Sequence, residues 1–183
     1  MAGLGCACLL PEHHAIARCI SSETSCDKKV EFAKIWISRF FTVLDKNLDE
    51  KTRIEIMRQN GEACYAGAYG ETMELVPHSY EDIDKSIAEI SSYLGKDNPR
   101  REGNIIYFQY VGNPNGLKIS DGYCLCPMLE NGPKTISPTY CQCSVGYVGM
   151  MFKKITGRQV KVDLLESLRL GGKTCSFKIM FDI

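Results

Sequence analysis

Tyr140–Phe181 reads Y-C-Q-C-S-V-G-Y-V-G-M-M-F-K-K-I-T-G-R-Q-V-K-V-D-L-L-E-S-L-R-L-G-G-K-T-C-S-F-K-I-M-F, and its pattern decides the fold. It opens on two cysteines, Cys141 and Cys143, separated by one residue. Ser144 carries a hydroxyl of the kind that caps a helix. Val145, Val148, Met151, Phe152 and Ile155 then recur at helical spacing, which predicts a helix with one apolar face. Gly157 stands where such a helix ends in the left-handed conformation that glycine adopts most cheaply. Two strand-like runs follow, Gln159–Glu166 and Thr174–Phe181, joined through Gly171 and Gly172. The expected unit is a helix followed by a hairpin, with a thiol at each end, Cys141 and Cys175.

Cys141, Gly146, Gly157, Val160, Val162, Gly171, Cys175 and Phe177 together make a spacing that resembles the 4-vinyl-reductase-like domain. That is a small-molecule-binding family related to the core of certain vesicle-tethering subunits. The resemblance covers about a quarter of the chain. It implies an α+β domain, a homodimer, and a pocket for a small hydrophobic molecule, sometimes with a structural zinc beside it. In zinc-bearing relatives two ligands are cysteines at positions matching Cys141 and Cys175. A carboxylate and a third cysteine come from the loop between. Here those loop positions fall on Leu164 and Ser167, and Glu166 is adjacent but out of place, so half of the family's site is missing. Cys143, Cys124 and Cys126 are candidates to replace the lost ligands.

The rest of the chain bounds this reading. It has 183 residues, 22 basic against 22 acidic, and 44% apolar residues, which suits one globular domain. Zero net charge and no long basic run argue against nucleic acid or a membrane surface as partner. No apolar run approaches the ~20 residues of a membrane-spanning helix. The start, M-A-G-L-G-C-A-C-L-L, lacks the basic leader of a secretory signal. A cytoplasmic protein is expected. Ten cysteines in such a chain read as free thiols, metal ligands or redox groups rather than a disulfide framework.

Residues 1–26 form a Cys/His-rich segment with Cys6, Cys8, His13 and His14, whose spacing matches no standard zinc finger. Residues 27–95 read as helical. A first helix from Asp27 to about Asp45 carries Ile35, Trp36, Ile37, Phe40, Phe41 and Leu44. This apolar surface is wider than one stripe and predicts cover on more than one side. A second, capped by Asp49, is expected to stop at Asn60-Gly61. Cys64 beyond that stop reads as a small buried hydrophobe. A third runs from Ser79 to Gly95. After the polar boundary at 96–103 the period changes from 3.6 to 2. Asn104–Val111 is a strand. A second strand near Leu117–Pro127 would place Cys124 and Cys126 on one face. Residues 104–183 thus make a strand–helix–hairpin part. Helices first and strands last, with one helix inserted, is the α+β pattern of helices packed on a mainly antiparallel sheet.

Two function classes follow. In the first, the chain binds a small hydrophobic molecule between the early helices and the sheet. Trp36, Phe40, Phe41, Tyr107 and Phe152 are candidate walls, and Cys124, Cys126, Cys141, Cys143 and Cys175 form a cluster able to hold zinc. In the second, a cysteine acts as a hydrolytic nucleophile or redox group. Cys143 lies at a helix start, where the dipole lowers a thiol's pKa, and His13, His14 and His78 are the available bases.

Overall fold

The structure is a computed structural model that describes residues 23–69, 83–95, 97–111, 124, 126 and 136–181. Its elements are α1 (Glu23–Asn47), α2 (Glu50–Cys64), α3 (Ile83–Leu94), β1 (Arg100–Glu102), β2 (Ile105–Gln109), α4 (Gln142–Thr156), β3 (Val160–Glu166) and β4 (Ser176–Phe181). The four strands form one antiparallel sheet in the order β1-β2-β4-β3. Helices precede the sheet and α4 is inserted between β2 and β3, so the fold is α+β.

The core follows from alternation on the strands and the apolar face of α4. Ile106 and Phe108 of β2, Phe177, Ile179 and Phe181 of β4, and Val162 of β3 point to one side of the sheet. There they meet Val145, Val148, Met151, Phe152 and Ile155 of α4. Phe152 and Phe177 are fully buried, and Phe108 packs on both. Burying each such side chain contributes roughly 1.5–3 kcal/mol. Ile87 of α3 and Tyr65 complete this cluster.

Several local expectations change. Ser144 does not cap α4. The cap position is Cys141, with no side-chain bond, and Ser144 sits inside the first turn. The helix does end at Gly157, with φ of +64°. Asp49 caps α2 as expected, accepting from the Thr52 backbone N–H at 3.0 Å. Gly61, however, does not stop that helix, which runs on to Cys64 and then through a π-helical turn, Tyr65–Tyr69. The reason is packing. A Cβ at Gly61 would sit 1.8 Å from the carbonyl oxygen of Cys143, and one at Gly146 would sit 1.9 Å from that of Arg58. The two glycines let α2 and α4 pass backbone against backbone.

The boundary at 96–103 also hides a strand. Arg100–Glu102 pairs with β2 through a tight turn at Gly103. The expected strand near Leu117–Pro127 lies outside the described residues except for Cys124 and Cys126, which belong to neither helix nor strand. The start of the third helix at Ser79 and residues 1–22 likewise lie outside them. Finally, among the described residues, α1 is covered on one side. Ile37 and Phe41 face inward, while Phe32, Trp36 and Val43 are 67%, 55% and 57% exposed.

Candidate functional site

A second, smaller apolar cluster lies apart from the sheet. Ile37 and Phe41 of α1, Met57 of α2 and Tyr140 form its buried part, with Leu44, Cys126, Ile136, Cys141 and Cys143 packed around them. Sequence dictates this locally. Ile37, Phe41 and Leu44 are spaced 4 and 3 apart, so they share one face of α1. The segment Ser137–Cys141 turns into α4 and brings Tyr140 over Phe41, ring centroids 4.9 Å apart and edge to face. Ser137 is held by Asp45 of α1, whose carboxylate accepts from its hydroxyl at 2.8 Å.

Aromatic rings continue outward from this cluster. Phe41 meets Phe40 edge to face at 5.8 Å, and Phe40 stacks on Trp36 at 5.2 Å with the planes 6° from parallel. Trp36 and Phe40 are exposed, and Phe41 and Tyr140 are buried. At the inner end the Tyr140 hydroxyl lies 3.2 Å from the sulfur of Cys126. A continuous aromatic path therefore leads from solvent to a thiol.

The thiols around it are neighbours. Cys141 interacts electrostatically with Cys124, Cys175 and Cys126, and Cys143 with Cys64 and Cys126. Ser167 links two of them directly. Its hydroxyl donates to the Cys141 sulfur at 3.1 Å and also bonds the Cys175 thiol, which accepts from the Leu168 backbone N–H as well. The two ends of the helix–hairpin unit thus meet across Ser167. Cys64, Cys124, Cys126, Cys141, Cys143 and Cys175 form no disulfide with one another.

Burial sets their protonation. It pushes Cys141 up to about 11, against the lowering effect of the Ser167 bond, with Cys124, Cys175 and Cys126 adding to the rise. It pushes Cys143 up to about 12, with Cys64 and Cys126 adding to the rise. Cys175 and the Tyr140 hydroxyl are also raised, again mainly by burial. The expected dipole-lowered thiol at Cys143 is not what the geometry gives, because desolvation outweighs the half-charge of a helix end. The expected bases, His13, His14 and His78, lie outside the described residues.

Among the described residues, no three His, Cys, Asp or Glu groups converge on a point that an ion could occupy. A hydroxyl fills the space between Cys141 and Cys175. Zinc needs about four ligands at about 2.0–2.3 Å, with thiolates rather than thiols.

The candidate wall residues do not share one place. Trp36, Phe40 and Phe41 form the aromatic path. Phe152 is sealed in the main core against Phe108, and Tyr107 lies half-buried on the other face of β2 under the Arg100 guanidinium. Conversely, Tyr140, Ser167, Asn60 and Cys64 also border the thiols, beyond the expected residues. Cys64 is exposed rather than buried. Its signal was its place one helical turn beyond Asn60-Gly61, visible only once that glycine is read as a packing residue.

Among the described residues, no helix is long and apolar enough to cross a membrane. A search of curated proteins returns no match. Among solved structures the chain is similar to the crystal structure of the phenol-responsive sensory domain of the transcription activator PoxR with phenol. The identity is 12%, the TM-score 0.40, and the match covers 84% of this chain and 73% of that one. A family model matches residues 11–183, nearly the whole chain, and on that match the chain belongs to the family of unknown function DUF6144.

Proposed function

We propose that this protein binds a small, uncharged, hydrophobic molecule at the cluster formed by Phe41, Met57, Tyr140, Cys126, Cys141 and Cys143. One observation carries the reading: an unbroken run of aromatic contacts, Trp36–Phe40–Phe41–Tyr140, from the surface to half-buried thiols. Exposed stacked rings supply affinity for an apolar or aromatic guest. Sulfur adds a polarizable, adaptable lining. Burial holds Cys141, Cys143 and Tyr140 protonated, so these three groups bring no charge to the lining. The resemblance to 4-vinyl-reductase-like domains agrees with this ligand class. It also favours a homodimer, for which the outward face of α1 is the surface to test.

Nile red, an uncharged dye whose emission rises in apolar surroundings, provides the test. Saturable binding is expected, with energy transfer from Trp36, the single tryptophan. Phe40→Ala removes an exposed ring and should weaken binding several-fold without unfolding the chain. Binding unaffected by both Phe40→Ala and Phe41→Leu would place the dye elsewhere and end the proposal.

The thiols as nucleophiles are a poorer account. A cysteine that attacks a substrate first needs a thiolate near neutral pH, and burial moves Cys141 and Cys143 the other way.

A further inference from the structure

Cys64 and Cys143 sit on the two helices whose glycines bring them together. Asn60 and Cys64 are four residues apart, on one face of α2. Both touch the same sulfur. The Asn60 side-chain amide donates to Cys143 at 3.7 Å, and the Cys64 thiol hydrogen-bonds to it. Gly61 lies directly on the Cys143 carbonyl. With no Cβ between them, α2 and α4 pass backbone against backbone beside this pair. That approach suits a disulfide, which needs Cα atoms roughly 4.4–6.8 Å apart.

We propose that Cys64 and Cys143 are a dithiol pair that closes to an intramolecular disulfide by exchange with a low-molecular-weight disulfide of the glutathione type, fastening the end of α2 to the first turn of α4. The exposed Cys64 reacts first. Its thiolate attacks one sulfur of the small disulfide, the S–S bond breaks, and one small thiol leaves with the electron pair and takes up a proton. Cys143 then gives up its proton and attacks the Cys64 sulfur of the mixed disulfide, and the second small thiol leaves. The protein loses two protons and two electrons, and the small disulfide is reduced to two thiols. Capping Cys64 assists the second step. The Cys64 thiol is one of the groups that hold Cys143 protonated, and the mixed disulfide removes it. Asn60 donates its N–H and favours the thiolate, against the burial and the Cys126 neighbour that still oppose it. This pair stands independently of the ligand-binding reading.

The full chain, incubated with oxidised glutathione, acid-quenched, alkylated and digested without reduction, decides the matter by peptide mass mapping. The expected product links the Cys64 peptide to the Cys143 peptide. Cys143→Ser should stop at glutathione on Cys64. Cys64→Ser should leave Cys143 as a free thiol, its oxidation slowed at least about tenfold. The wild-type chain is decisive by itself. If it ends with glutathione on Cys64 and a free Cys143, or with Cys64 joined to any other cysteine, the pair is not a dithiol site.

Discussion

Gly61 shows how a single residue misleads and then informs. By helix propensity, Gly61→Ala and Gly146→Ala should each stabilise a helix interior by ~1 kcal/mol. The backbone contacts at 1.8 and 1.9 Å reverse that sign, because carbonyl groups cannot move aside as side chains can. Each substitution is expected to cost about 1–3 kcal/mol or more in urea unfolding. Gly67→Ala, which meets nothing within 4 Å, serves as the control. The thiols give a second prediction at this scale. Cys141 and Cys143 titrate higher folded than unfolded, so as pH rises the unfolded chain loses its protons first. Stability is therefore intact below about pH 8.5 and falls between there and the folded values near 11 and 12. Cys143→Ala should flatten that alkaline decline; an equally steep profile would show that this thiol does not contribute.

Periodicity made the elements legible, and burial decided the rest. The face of α4 and the alternation of β4 were readable because one side of each packs on a single core. The breadth of the apolar surface on α1 was readable too, but not its meaning, since sequence does not say which side is covered. Among the described residues, Ile37, Phe41 and in part Leu44 found cover, leaving Phe32, Ile35, Trp36, Phe40 and Val43 exposed at helical spacing. Ser144 was read as the cap for want of the turn that Ser137–Cys141 makes before α4. If α1 pairs with a second copy across this stripe, sedimentation should find a dimer, and Phe32→Glu with Val43→Glu should yield a folded monomer. A monomeric wild-type chain at tens of micromolar would leave the stripe to the ligand path alone.

At the scale of the whole molecule, two apolar clusters of unequal size imply two stabilities. The larger joins α3, α4 and all the long strands through fully buried Phe152, Phe177, Ile106 and Ile179. The smaller ties α1 to the rest mainly through Ile37, Phe41, Met57 and Tyr140. A sequence reading placed the thiols near one another but could not separate these clusters, because the partners of Phe41 lie about a hundred residues away, at Tyr140. Regions with few buried apolar contacts open at lower free energy than the global transition. Backbone amides of α1 should therefore exchange with solvent deuterium well before those of α4 and β4. A guest seated against Phe41 and Tyr140 binds only while α1 is docked, so it adds stability to that docking alone. Saturating Nile red should then slow exchange in α1 and in Ser137–Cys141 and leave β2 and β4 unchanged. Uniform protection across the sheet would instead mean that the dye binds at the main core, and α1 would lose its role as the movable wall.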